Sequence, residues 1–136
     1  MHELVLALII STTTYVAETD GFSIDFPAAP EIVTTEGSST FIVESGESQN
    51  FISVEIHETS SALSKTELRS RASKLAKIIS ERAVTVGTSN GFEFSVKHKG
   101  MNGFLRVLPQ PTRVITIQCM GFTNCSKLVS SFTFTR

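Results

Sequence analysis

A chain of 136 residues, 40% of them hydrophobic, fits one domain and is long enough to bury a core without metal or multiple disulfides. The formal net charge of −1 removes the basis for wholesale capture by nucleic acid or an anionic membrane. The charge is unevenly placed, however: residues 1–60 contain ten acids and no Lys or Arg, whereas residues 61–136 contain all twelve Lys and Arg against Glu67, Glu81 and Glu93. If the two halves interleave in one sheet, which is the favoured reading for a single domain, these charges cancel locally; if they stay apart, the molecule is a dipole suited to charge-steered docking.

The chain opens with MHELVLALIISTTTYVAETD, whose apolar run from Leu4 to Ile10 is too short to span a bilayer. As a signal peptide it is irregular. Glu3 stands where positive charge is expected, no Lys or Arg precedes Lys65, and Tyr15 is large for the −3 position of cleavage after Ala17. A misassigned start, or an apolar first strand or helix, competes with export. The expected division is residues 1–14 as a signal peptide or apolar segment and residues 15–136 as one domain.

Tyr15–Ala17 and Phe22–Phe26 flank Thr19-Asp20-Gly21 and read as a hairpin, with Phe22, Ile24 and Phe26 alternating against Ser23 and Asp25. Pro27 and Pro30 end it. Ile32–Thr35 and Thr40–Glu44 are short β-branched runs, and FISVEIHE alternates Ile52, Val54 and Ile56 against Ser53, Glu55 and His57. Ser64 and Glu67 then form a capping box, Leu63 and Leu68 a hydrophobic staple, and Leu68, Ala72, Leu75, Ala76 and Ile79 a stripe of helical period. The spacing predicts a helix over Ser64–Arg82, with Lys65, Arg69, Arg71, Lys74, Lys77 and Arg82 on its solvated flanks. Beyond it come a short strand at Ala83–Val86, FEFSVKH alternating Phe92, Phe94 and Val96 against Glu93, Ser95 and Lys97, then Met101–Leu108 and RVITIQC. These read as a meander. Thr123 or Asn124 caps a second helix through Leu128 and Val129, ending near Ser130-Ser131. The fold class expected is α+β: an antiparallel sheet of about six strands covered by one long and one short helix.

Motifs for chemistry are sparse. Dinucleotide and phosphate loops, a nucleophile elbow, a His-Glu-x-x-His and a Cys-x-x-Cys are all missing from the sequence. His2, His57 and His98 lie far apart, so a metal site would have to be assembled from His57, His98 and a carboxylate by folding alone. Cys125 near a helix start, with His98 as base, is the one nucleophile arrangement worth naming, and Asp25 and Glu55 read as solvated strand acids. Cys119 and Cys125 are candidates for a short-loop disulfide in an exported protein, against buried or free thiols. Asn124-Cys125-Ser126 fits the glycosylation triplet, which matters only on a eukaryotic secretory route.

Gly21-Phe22-Ser23-Ile24-Asp25-Phe26-Pro27 followed by Pro30 resembles the opening strand of the PsbP-like domains, related to the photosystem II extrinsic subunit and to the Ran-binding Mog proteins. Arg113-Val114-Ile115-Thr116-Ile117 and Leu128-Val129-Ser130-Ser131-Phe132 look like that family's last strand and closing helix. Together the likeness covers about residues 15–134, although the chain has no Trp and only Tyr15 where the family carries Trp or Tyr. The resemblance implies an antiparallel sheet covered by helices, frequent export, and an accessory, chaperone or binding role without catalytic residues to carry over. Gly21, Pro27 and Pro30 keep structural roles in turn and strand ends. The sequence reading is therefore a noncatalytic interaction domain, extracytoplasmic in preference to cytoplasmic, with a protein partner, no cofactor, no metal, no nucleic acid and self-association left open. The alternative is a small-ligand carrier or enzyme with a pocket between helix and sheet, lined by Phe92 and Phe94.

Overall fold

The computed structural model describes residues 12–46 and 49–136; the apolar run Leu4–Ile10, His2 and the signal-peptide reading lie outside them. Alternation of apolar and polar residues dominates what is described, and the chain answers with ten strands. They are β1 (Thr13–Ala17), β2 (Phe22–Phe26), β3 (Glu31–Thr35), β4 (Ser38–Glu44), β5 (Phe51–Glu58), β6 (Lys77–Val86), β7 (Ser89–His98), β8 (Met101–Gln110), β9 (Arg113–Met120) and β10 (Thr133–Phe134). Two helices interrupt them, α1 (Lys65–Leu75) and α2 (Cys125–Ser130). All pairings are antiparallel, in one sheet of order β1-β2-β10 and one of order β3-β4-β5-β9-β8-β7-β6.

The expectation of about six strands under a long helix is thus corrected to a mainly β architecture with two short helices. The capping box forms, with the Glu67 amide donating to Ser64 Oγ and the Ser64 amide to Glu67 Oε1. The helix then ends at Leu75, because Ala76 is already extended. Lys77–Val86 contains Ile78, Ile79, Val84, Thr85 and Val86, residues that pack well on a pleated surface, and β7 offers a partner ladder along its whole length. Pairing with β7 outweighs the helical propensity of the same residues. Of the expected stripe, Leu68, Ala72 and Ala76 are buried, while Leu75 and Ile79 are exposed.

Two apolar layers flank the large sheet. On one face Ile52, Val54, Ile56, Ile115, Ile117 and Phe41 meet the small sheet and α2, through Phe22, Ile24, Phe26, Leu128, Val129 and Phe132. An aromatic row stitches this layer: Phe22 meets Phe41 edge-on at 5.1 Å and stacks on Phe132 at 5.3 Å. Ser131 Oγ accepts from the Asp25 amide at 2.9 Å, which ties the end of α2 to β2. On the other face α1 lies over β6–β8, where Leu68, Ala72 and Ala76 bury Phe92, Phe94, Val96, Leu105 and Val107. Among the described residues that face of β3–β5 carries no such layer, and it presents polar Thr40, Ser53, Glu55 and His57. At Gly91 and Gly103 a Cβ would stand 2.0 and 2.1 Å from the carbonyl oxygens of Val107 and Cys119, so glycine is what lets the neighbouring strands close in.

Because α1 stops at Leu75, Leu68→Ala is expected to lose about 3 kcal/mol of unfolding free energy, the usual cost of emptying a buried Leu site. Ile79→Ala is expected to lose less than about 0.5 kcal/mol, as an exposed substitution does. Urea denaturation of the two variants checks this; comparable losses would restore a continuous helix.

Candidate interaction site

The strand order separates the charges. β3, β4 and β5 occupy one side of the large sheet and β8, β7 and β6 the other, and the two halves of the chain meet in it at β5–β9 alone. Interleaving, the favoured reading of the sequence, is therefore replaced by segregation. In the basic half the acids are used internally. Arg69 donates to both Glu81 oxygens at 2.9 and 3.0 Å, and Glu67 is held by the helix cap. Across the seam, Arg71 donates to Thr116 Oγ1 at 3.0 Å and pairs with Glu55. Among the described residues Glu55 is the one acid of the first half in an ion pair, so Glu18, Glu31, Glu36, Glu44 and Glu58 present their charge to solvent.

The same acidic side carries exposed apolar surface. Val16 on β1 is 50% exposed, and Ile32 and Val33 on β3 are 51% and 50% exposed. β1 is an edge of the small sheet and β3 an edge of the large one. Between them runs a groove of about 400 Å³ lined by Tyr15, Val16, Glu18, Asp20, Ile32 and Phe41. Tyr15 and Phe41 make its floor, their rings 5.9 Å apart. The loop at its end is braced from the opposite half: Arg113 donates to the Asp20 carbonyl at 2.9 Å, and Arg136 donates to that of Thr19. Burial holds the Arg113 guanidinium below its usual pKa, against the raising effect of the Asp20 charge.

A second groove, about 630 Å³, lies at the other end of the sheet among Asn50, Met101, Asn102, Phe104, Phe122 and Ile79. Cys125 also lines it, joined to Cys119 by a disulfide that spans Cα atoms 5.4 Å apart and six positions of sequence. A Cys125 nucleophile is accordingly corrected: its sulfur is already bonded, and the site with His98 as base does not form. His57 sits at the end of β5 and His98 at the end of β7, with β9 and β8 between them. Among the described residues no three His, Cys, Asp or Glu side chains converge on a metal position. Phe92 and Phe94 are core residues under α1 and line none of the grooves described. Asn124, which precedes α2, makes no side-chain cap and buries its Oδ1 without a partner. No helix among the described residues is long and apolar enough to cross a membrane.

One polar cluster escaped the sequence reading. Glu93, which alternates with the apolar face of FEFSVKH, is buried and accepts from Arg106 Nε at 2.8 Å and Arg82 Nε at 2.7 Å, while Arg106 also reaches Ser130 Oγ at 3.3 Å. Burial acts to raise the Glu93 pKa, but the hydrogen bonds and charges of the two arginines outweigh it, and the net displacement is downward. The alternation of FEFSVKH gives the face of Glu93, and nothing in it shows that α2 packs there. No family model matches the chain, and neither does any curated protein.

A carboxyl whose folded pKa is depressed stabilises the fold fully above its unfolded value, near 4.3, and that contribution is lost as pH falls through the lower folded value. Unfolding free energy of the native protein is therefore expected to fall more steeply than that of Glu93→Gln as pH drops below about 4. Glu93→Ala, which strands a buried guanidinium, is expected to cost about 3–5 kcal/mol. Denaturation series across acidic pH test both.

Proposed function

We propose that the protein is a noncatalytic interaction domain that docks a protein partner at its acidic β1/β3 end. The observation that carries this reading is the coincidence there of two exposed aliphatic side chains on either side of one groove, Val16 and Ile32, with Glu18, Glu31 and Glu36, which form no ion pair among the described residues. Exposed apolar surface rimmed by charge is typical of protein contact sites, and a single-signed rim steers a partner of opposite charge. An accessory or binding role is also what the likeness of Gly21–Pro27 to PsbP-like domains implies. The Cys119–Cys125 bond supports placement in an oxidising, extracytoplasmic compartment.

A different reading, a small-ligand carrier, draws on the 630 Å³ groove with Phe104 and Phe122 beside Asn50 and Asn102. The two separate in a thermal-shift screen against metabolites and metals: the docking role predicts no stabilisation, and a reproducible shift with one compound moves the assignment to the carrier. Affinity capture by the full chain from its native source is expected to yield a protein retained at low salt and released at high salt, and to fail with Glu31→Lys/Glu36→Lys. Retention that ignores both salt and the charge reversal overturns the docking role.

A further inference from the structure

The free edge of β3 is more than an apolar patch. Thr35 and Ser38 face each other across the two-residue loop Glu36-Gly37, with Gly37 at φ +76°, which makes them a hydrogen-bonded pair of the hairpin. In an antiparallel ladder the pairs alternate, so Ile32 and Thr34 turn their N–H and C=O groups away from β4. Among the described residues no strand takes up that row. The side chains of Ile32 and Thr34 line the groove beside β1, and Glu31, Val33 and Thr35 face the opposite side. An open backbone row, a groove for alternate side chains, and Glu31 and Glu36 at the strand's two ends without an ion pair among the described residues are the parts needed for recognition by strand addition.

We propose, building on the docking role above, that β3 receives an extended basic segment of a partner protein as an added strand. Its apolar side chains enter the groove over Tyr15, Val16 and Phe41, and its alternate Lys or Arg side chains meet Glu31 on the opposite face and Glu36 at the hairpin loop. Charge selects this occupant over a second copy of the chain. A symmetric β3–β3 pair, centred on Val33, sets Glu31 of each copy opposite Thr35 and beside Glu36 of the other, so acids meet acids at both ends. The basic edge β6 is a poorer donor, because a register shift between Ile78 and Ser80 bends its start and Glu81 and Arg82 are already paired with Arg69 and Glu93.

Selection of displayed random peptides against the full chain tests the proposal. The expected winners alternate Val, Ile or Thr with Lys or Arg. Their dissociation constants are expected to rise at least about tenfold, equivalent to 1.4 kcal/mol, for Ile32→Asp, for Glu31→Lys/Glu36→Lys and for Thr34→Pro. The last removes an outward N–H and leaves the inward pairs of β3 in place. Urea midpoints identify any variant that has lost its fold, and the remaining ones carry the comparison. Winners without alternation, acidic winners, no winners, or affinities indifferent to all three substitutions overturn strand addition. So does a concentration-dependent dimer in sedimentation that Ile32→Asp dissolves, since a second copy would then hold the edge. A native partner bound undiminished by Thr34→Pro removes strand addition and leaves the docking role standing; a wild-type chain that captures no partner removes the docking role itself.

Discussion

The pairing of β5 with β9 fixes the rest of the molecule. Eight consecutive residue pairs, from Phe51 opposite Met120 to Glu58 opposite Arg113, join the first half of the chain to the second. One face of the seam is dry: Ile52, Val54 and Ile56 lie against Cys119, Ile117 and Ile115 beneath the small sheet and α2. The other carries a polar clasp, in which Arg71 of α1 reaches both Glu55 and Thr116, neighbours across the seam. A one-residue slip would turn the aliphatic set to the polar face and the acids into the core, so the register is held by both faces at once. With the seam fixed, β3 and β4 lie outboard on one side and β8, β7 and β6 on the other. The charge segregation of the sequence becomes a segregation in space.

Much of the fold was legible wherever the period of the pattern was unambiguous. FSIDF, FISVEIHE, FEFSVKH and RVITIQC alternate as strands and are strands. The cap at Ser64 and the short helix before Phe132 were readable from local chemistry. The helix is misjudged at Ala76–Arg82, where Ala76 and Ile79 continue a helical period while Ile78 and Ile79 also suit a strand. Local spacing cannot rank those options, because the decision rests on a ten-residue ladder with β7 that no window of sequence contains. The small sheet was missed for a related reason: β10 is two residues long and is defined by its partners Ser23 and Phe22, not by any pattern of its own.

The candidate interaction site divides similarly. Its charge was plain, since ten acids without a cation need only counting. Its apolar half was hidden, because Ile32 and Val33 look like core residues in EIVTT and are exposed only through the position of β3 at the rim. Glu93 presents the reverse case, an ordinary surface acid by alternation that Arg106, Arg82 and Ser130 draw into the interior. Burial of a polar residue, like exposure of an apolar one, is decided by which element lands on it.

The bulge at Ile78–Ser80 sets the two edges of the large sheet apart. A sheet with two sound edges has a valence of two and, once one contact forms, can grow without limit into a fibre. Here β3 is regular along its length, whereas β6 carries a register shift between Ile78 and Ser80 and is regular again only from Ser80 to Val86. Strand addition as proposed at β3 leaves further growth of the large sheet to the bulged edge at β6, and a bulge at a sheet rim is one of the devices by which proteins limit edge-to-edge pairing.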